Sequence, residues 1–170
     1  SAPMAEHALA MALAAAKRLI PEHAALQQGA FNQTTPNRML AGLTAGIIGF
    51  GGIGQATARL LRAIGMRIHA LNRSGRTSEP VDWIGDTSRR DALLAASDVV
   101  VVSIPLTRAT EGMIGPRELG LMKPDAILIN LARGEIVDEA ALFAHLLARP
   151  GFTACIDAWW IEPVRHGRFG

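Results

Sequence analysis

The chain holds one cysteine, Cys155, and so has no disulfide framework and no cysteine-rich metal site of its own. That scarcity fits a reducing, soluble compartment, and a cytoplasmic location is the expectation. No apolar run is long enough to span a bilayer, and the start carries neither a basic n-region nor a small-residue cleavage pattern, so no membrane partner is expected. Lysine is nearly missing: Lys17 and Lys123 stand beside fifteen arginines, yet the formal net charge is only +2. The arginines are scattered, not striped, which speaks against a nucleic-acid partner and leaves a few of them for the phosphates of a small cofactor. Cys155 sits in an apolar stretch, FTACIDA, and reads as a packing residue and not a nucleophile.

With 170 residues, 49% of them apolar, the chain is one ordinary domain able to bury a real core. Ser1 to Ile20 reads as an alanine-rich helix with Pro3 in its first turn, Pro21 as its stop, and Leu9, Leu13, Ala16 and Ile20 as its buried face. Pro21 to Gly42 is irregular, a long connection with room for one short helix. From there strand and helix signals alternate. Strands are expected at Leu43–Phe50, Met66–Asn72, Val81–Ile84, Val99–Ile104, Ala126–Asn130 and Phe152–Asp157, and helices at Gly52–Ile64, Ser88–Ala96, Pro116–Met122 and Asp138–Leu147. This order predicts an α/β, Rossmann-type fold: a doubly wound parallel sheet in three α/β/α layers, preceded by an N-terminal helix.

Ligands of such a sheet lie beyond the carboxyl ends of its strands, where the strand order reverses. The first strand runs into Gly49-x-Gly51-x-x-Gly54, a dinucleotide-binding fingerprint. One glycine serves the sharp turn, one the close approach of backbone to a pyrophosphate, and one the packing of helix on sheet. The phosphate charge then meets free N–H groups and the positive end of the next helix. Residues 1–42 would be the leading helix and connection, and 43–170 the dinucleotide-binding core. Eighteen residues past Gly54, where an NAD-specific domain places a carboxylate for the ribose, stand Asn72, Arg73 and Ser74, with Arg76 close behind. A guanidinium binds a 2′-phosphate that a carboxylate would repel, so NADP is favoured as cofactor, with NAD as the alternative. A plain solvated turn is the other reading of the same residues.

The segments MAEHALAMALA, SDVVVVSIPLTRATEGMIG and LGLMKPDAILINLARGEIVDEAAL, with Met122-Lys123-Pro124 and Asn130-x-x-Arg133-Gly134 inside the last, resemble the D-isomer-specific 2-hydroxyacid dehydrogenases over nearly the whole chain. Such an enzyme needs a cation for the substrate carboxylate, a group that exchanges a proton with the hydroxyl, and a nicotinamide held against the reacting carbon. Arg133 can supply the first through its planar fork, although without the resemblance a surface arginine is the simpler reading. The resemblance makes Arg133 the substrate-binding arginine that also polarises the keto oxygen. It makes Asp157 the holder of the nicotinamide carboxamide, and Glu162 the partner of the catalytic histidine, whose pKa it would raise. An exposed loop acid is the plainer alternative for Glu162. The resemblance further implies backbone contacts at Gly52 and Ile53, a wall at Ser103, Ile104 and Pro105, a contact from Thr110, and Leu131 and Ala132 beside the nicotinamide. Trp159 and Trp160 give the last loop bulk, for packing as much as for recognition.

The same resemblance places the catalytic histidine in a Pro-His pair well beyond the glutamate, and a substrate domain on both sides of the cofactor domain. Neither is found in these 170 residues, so the chain reads as the middle of an enzyme, with negligible turnover expected of it alone. His166 follows Glu162 too closely to be that histidine, and His7, His23, His69 and His145 have structural or surface readings. The expected activity is hydride transfer between NAD(P) and a small 2-keto or D-2-hydroxy acid, of the glyoxylate or hydroxypyruvate kind. The alternatives are a formate- or phosphite-type dehydrogenase domain and a nucleotide-sensing corepressor-like module without catalysis. The resemblance implies a homodimer through the cofactor domain, and the apolar face of the Ser1 to Ile20 helix and the Pro21 to Gly42 connection would otherwise lie largely uncovered.

Overall fold

The computed structural model describes residues 1–167. Six strands, β1 (Thr44–Ile48), β2 (Arg67–Leu71), β3 (Trp83–Gly85), β4 (Val99–Val102), β5 (Ile127–Asn130) and β6 (Thr153–Ile156), form one parallel sheet in the order β3-β2-β1-β4-β5-β6. The chain steps outward from β1 to β3 and returns to lay β4 on the other side of β1. The order therefore reverses between β1 and β4, which places the switch point of the sheet at the carboxyl ends of these two strands.

The run Val99–Val102 shows why a buried parallel strand has no polar face. Val99 and Val101 pack with Ile47, Ile68, Ile129 and Leu61 on one side of the sheet, while Val100 and Val102 pack with Leu93, Leu119, Leu128 and Leu142 on the other. Period-two alternation is present in space and hidden in the sequence, because both faces are covered. The first face is covered by α1 (Ala2–Ala16) and α3 (Gly52–Ala63), and the second by α4 (Arg90–Ala96), α5 (Pro116–Leu121) and α6 (Glu139–Ala148).

The N-terminal region departs from the expectation. The helix predicted to run to Ile20 stops at Ala16, Arg18 takes a left-handed conformation at φ 54°, and α2 (Leu19–Gln27) follows with Pro21 inside its first turn. A proline there loses nothing, since the first N–H groups of a helix have no intrahelical acceptor. The buried face of α1 is also different: Ala5, Ala8, Ala12 and Ala16 are its buried residues, Leu9 and Leu13 are only half-buried, and Ile20 is 74% exposed. Small side chains let α1 lie close against α3 and the sheet, which a stripe of leucines would prevent. Elsewhere the expected elements form, with shorter strands. β1 ends at Ile48 and not at Phe50, because Gly49 turns the chain at φ 98°.

At the amino ends of β1 and β4 a buried acid joins three segments. Asp98 accepts from Lys123 Nζ at 2.8 Å, Arg38 Nη2 at 2.9 Å and the Thr44 N–H at 2.9 Å. Burial pushes its carboxyl up, but Lys123, the Thr44 N–H and Arg38 together outweigh burial and hold it below the usual carboxylate range. Lys123, part of the Met-Lys-Pro element, is thus a structural cation. A carboxyl depressed in the folded state contributes stability that is full above its unfolded pKa and lost as pH falls through the folded one. Asp98→Asn is expected to cost about 1–3 kcal/mol at pH 7. In denaturant melts the gap between wild type and variant should begin to narrow below about pH 4 and go on narrowing as pH falls further; a gap that does not narrow contradicts the linkage.

Candidate functional site

The site begins where β1 turns into α3. An added Cβ at Gly49 would strike the Ser103 carbonyl and the Ile104 side chain, so β4 delivers its end directly beneath the turn. Ser103 Oγ donates to the Gly49 carbonyl at 2.8 Å, and the Gly49 and Phe50 N–H groups both donate to the Leu71 carbonyl at 3.1 Å. A Cβ on Gly54 would run into the Gly49 carbonyl oxygen. Gly51 differs: it caps α3, and a Cβ there would meet no protein atom within 4 Å. The open space lies against the first turn of a twelve-residue helix, whose N–H groups at Gly52, Ile53 and Gly54 have no intrahelical acceptors. A pyrophosphate fits this cradle in shape and in sign of charge.

From the cradle a cleft of about 800 Å³ opens along the carboxyl ends of β1, β2 and β4. Among the residues expected at the site, Gly49, Gly51, Asn72, Arg73 and the Ser103–Pro105 wall line it, with Thr110. Asn72 builds the turn after β2. Its Oδ1 accepts from the Ser74 and Gly75 N–H groups at 3.1 and 2.7 Å and from Ser74 Oγ at 3.1 Å, and its Nδ2 donates to the Arg76 carbonyl at 2.8 Å. The side chains of Asn72 and Ser74 are thus engaged in the turn. Arg73 is exposed on it and makes no hydrogen bond or ion pair among the described residues. Thr110 Oγ1 donates to the Pro105 carbonyl at 2.8 Å and accepts the Thr107 N–H at 2.8 Å, which folds the loop after β4 into one wall of the cleft.

Arg133, Asp157 and Glu162 lie on the same rim, at the ends of β5 and β6. Asn130, fully buried at the end of β5, accepts the Ala132 N–H at 3.1 Å and donates to the Arg133 carbonyl at 2.8 Å, so its amide shapes the loop that carries buried Leu131 and Ala132 and exposed Arg133. Arg133 Nη1 donates to the Ala132 carbonyl at 2.6 Å. Gly134 admits no side chain, because a Cβ would collide with the backbone of Trp159 and Trp160. Trp160 Nε1 donates to the Val137 carbonyl at 2.7 Å, and Arg165 pairs with Glu135 at 3.1 Å. The loop of Arg133 and the loop of Glu162 are therefore fastened to each other. Trp160 packs in this joint, while Trp159 stays largely exposed.

The Asp157 N–H donates to the Asn130 carbonyl at 3.1 Å, and its Oδ1 stands 3.0 Å from His7 Nε2. That contact crosses from α1 to the end of β6 and gives the exposed His7 a structural role. Glu162 accepts the Trp159 N–H at 3.0 Å and precedes α7 (Pro163–His166). His166 Nδ1 accepts the Glu162 N–H at 2.9 Å, so this imidazole caps its own short helix. The local sequence offered a hint of Asn130, a polar residue ending an apolar strand; it offered none of His7.

The family description "D-isomer specific 2-hydroxyacid dehydrogenase, NAD binding domain" matches residues 9–169. A glyoxylate reductase of Thermococcus gammatolerans is 41% identical over 167 residues, covering 94% of this chain and 50% of the relative. A hydroxypyruvate reductase of Thermotoga maritima is 33% identical over 166 residues, covering 96% and 53%. The crystal structure of a glycerate dehydrogenase related protein from Thermoplasma acidophilum superposes with a TM-score of 0.86 at 36% identity, covering 95% of this chain and 56% of that one. The chain spans about half the length of the curated relatives it matches.

Proposed function

Because the chain belongs to the D-isomer specific 2-hydroxyacid dehydrogenase family, as its NAD binding domain, we propose that it binds NADP(H) in the cleft above Gly51 and presents it to a small 2-keto or D-2-hydroxy acid, of the glyoxylate or hydroxypyruvate kind. The observation that carries this reading is the open cradle at Gly51 with an arginine, Arg73, unpaired among the described residues, on the turn beside it where an acid would mark NAD. The N–H groups of Gly52 and Ile53 hold the pyrophosphate, and Gly49 and Gly54 keep turn and helix close enough for them to do so. Arg73 takes the 2′-phosphate from the turn that Asn72 and Ser74 build. Ser103, Ile104, Pro105 and Thr110 wall the cleft.

The bound nicotinamide supplies or accepts the hydride. The chain's own part is to hold and orient. Leu131 and Ala132 would flank the ring and keep water from it, and Asp157 would hold the carboxamide through the oxygen that His7 does not face. Arg133 fixes the substrate carboxylate and polarises the keto oxygen through its planar fork. Glu162 orients the proton-donating histidine, which we assign to the part of the relatives that this chain does not span. In the same reading residues 1–42 are the leading helices and connection, and 43–170 the dinucleotide core. The protein is cytoplasmic, and it pairs as a homodimer over the exposed Leu19, Ile20 and Leu26 of α2. The fold is shared with formate dehydrogenases as well, but the higher identity to glyoxylate and hydroxypyruvate reductases favours the keto-acid reading over the formate-type and corepressor-like alternatives.

Calorimetric titration of this chain is expected to give NADPH a dissociation constant of about 1–10 μM, equivalent to roughly −8 to −7 kcal/mol, and NADH a value at least tenfold weaker. Failure of both to bind at millimolar concentration overturns the reading; equal affinities remove the NADP preference alone.

A further inference from the structure

Arg90 belongs to none of the roles above. It opens α4 just after β3, and its side chain lines the cleft with Leu71, Arg73, Ile104 and Met113. Among the described residues its Nε is shut off from water without an acceptor, and the one hydrogen bond of its guanidinium runs from Nη2 to Glu118 Oε1 at 2.9 Å. That leaves most of a five-donor fork unused in a half-buried place, an arrangement native structures rarely keep without a reason.

Glu118 does not depend on Arg90. Arg117 Nη2 stands 3.1 Å from the same Oε1, and the Gly115 N–H donates to Oε2 at 3.2 Å. Arg117 is itself held by Asp91 at 2.7 and 2.9 Å. The buried carboxylate keeps two partners when Arg90 turns away, so Arg90 is the movable member of this cluster.

Its surroundings define what it turns toward. The strand order puts β3 beside β2, and the Asn72 N–H donates to the Gly85 carbonyl at 3.2 Å, which sets the start of α4 beside the turn of Arg73. This is the side of the cradle away from Arg133 and Asp157, hence the adenosine side of a dinucleotide laid across it. The cleft that Arg90 shares with Arg73 and Thr87 also has apolar lining from Leu71, Ile104 and Met113, which suits a flat heteroaromatic ring. A guanidinium matches such a ring twice, by stacking on its face and by donating to its ring nitrogens.

Resting on the cofactor reading above, we propose that Arg90 is the polar recognition residue for the adenine base, released from Glu118 as the ligand enters. It serves both cofactors alike, whereas Arg73 tells them apart.

The test compares wild type, Arg90→Leu and Arg90→Lys for binding of NADPH, NADH, 5′-AMP and nicotinamide mononucleotide, with thermal melts to confirm folding. Arg90→Leu is expected to weaken NADPH, NADH and 5′-AMP by a similar factor of about 10, to leave nicotinamide mononucleotide unchanged, and to be rescued only in small part by lysine, which lacks the planar fork. If Arg90→Leu does not fold, Arg90→Leu/Glu118→Gln is compared with Glu118→Gln, and the same factor is expected. Unchanged 5′-AMP binding in a folded variant overturns the assignment. So does a loss confined to NADPH, which would make Arg90 a phosphate ligand, or full rescue by lysine, which would make it a bare charge. A wild-type chain that binds no dinucleotide overturns the cofactor reading and this assignment with it, and is told apart by the wild-type titration alone.

Discussion

Arg73→Ala is expected to weaken NADPH binding roughly 10- to 100-fold while leaving NADH within about twofold, because one charge-assisted contact to a phosphate is worth about 1.5–3 kcal/mol. The side chain is exposed and without a partner among the described residues, so its removal costs the fold nothing, and the whole effect should appear in binding. Exposure also means screening: the wild-type preference for NADPH should shrink as salt rises from 0.05 to about 0.5 M, over which the Debye length falls by about a factor of three. Side-by-side titrations of both cofactors at two salt concentrations check this. Equal losses of NADPH and NADH would mean that Arg73 shapes the turn, and the 2′-phosphate would then need another cation.

The second large effect separates two glycines of one motif. Gly54→Ala places a methyl group on the Gly49 carbonyl oxygen, and backbone cannot yield as a flexible side chain does. α3 must lift from β1, at a cost of about 3 kcal/mol or more, which lowers the melting temperature by roughly 6–12 °C in a domain of this size and disorders the cradle as well. Gly51→Ala meets no protein atom, so its melting temperature should stay within about 2 °C of wild type. Its methyl group instead occupies the space assigned to the pyrophosphate, and NADPH affinity should fall by more than about tenfold, the factor that 1.4 kcal/mol represents. Loss of stability at Gly51, or undiminished binding there, would show that the open space is not the phosphate site.

Much of the fold was legible because the signals that make it are local. Val99–Val102 could only be a strand covered on both faces, and Gly65, at φ 90°, closes α3 where the sequence put the stop. Pro21 misled because a proline ends one helix and opens another with equal ease, and only the packing of α1 on α3 decides which. The same limit applied to the face of α1. Helical spacing picked the larger side chains, whereas the close approach of two helices and a sheet selected the alanines. At the site, the glycine crook, the arginine turn and the loop of Arg133 were each visible as departures from strand and helix patterns. Asn72 and Asn130 were visible too, but not as builders of those loops, since a side-chain amide carries no mark of which backbone it will brace.

By itself the amino-acid order determined the alternation of elements, the doubly wound parallel sheet, and the family to which the chain belongs. These follow from periodicity and from motifs of a few neighbouring residues. Only the tertiary structure decided that His7 faces Asp157, that Arg38 and Lys123 share Asp98, that Gly134 exists to admit the backbone of Trp159 and Trp160, and that Arg90 stands in the cleft with its Nε unpartnered among the described residues. Most of these meetings join residues tens of positions apart in the chain. Each is set by where the sheet carries two distant segments, and such a coincidence leaves no imprint on either segment alone.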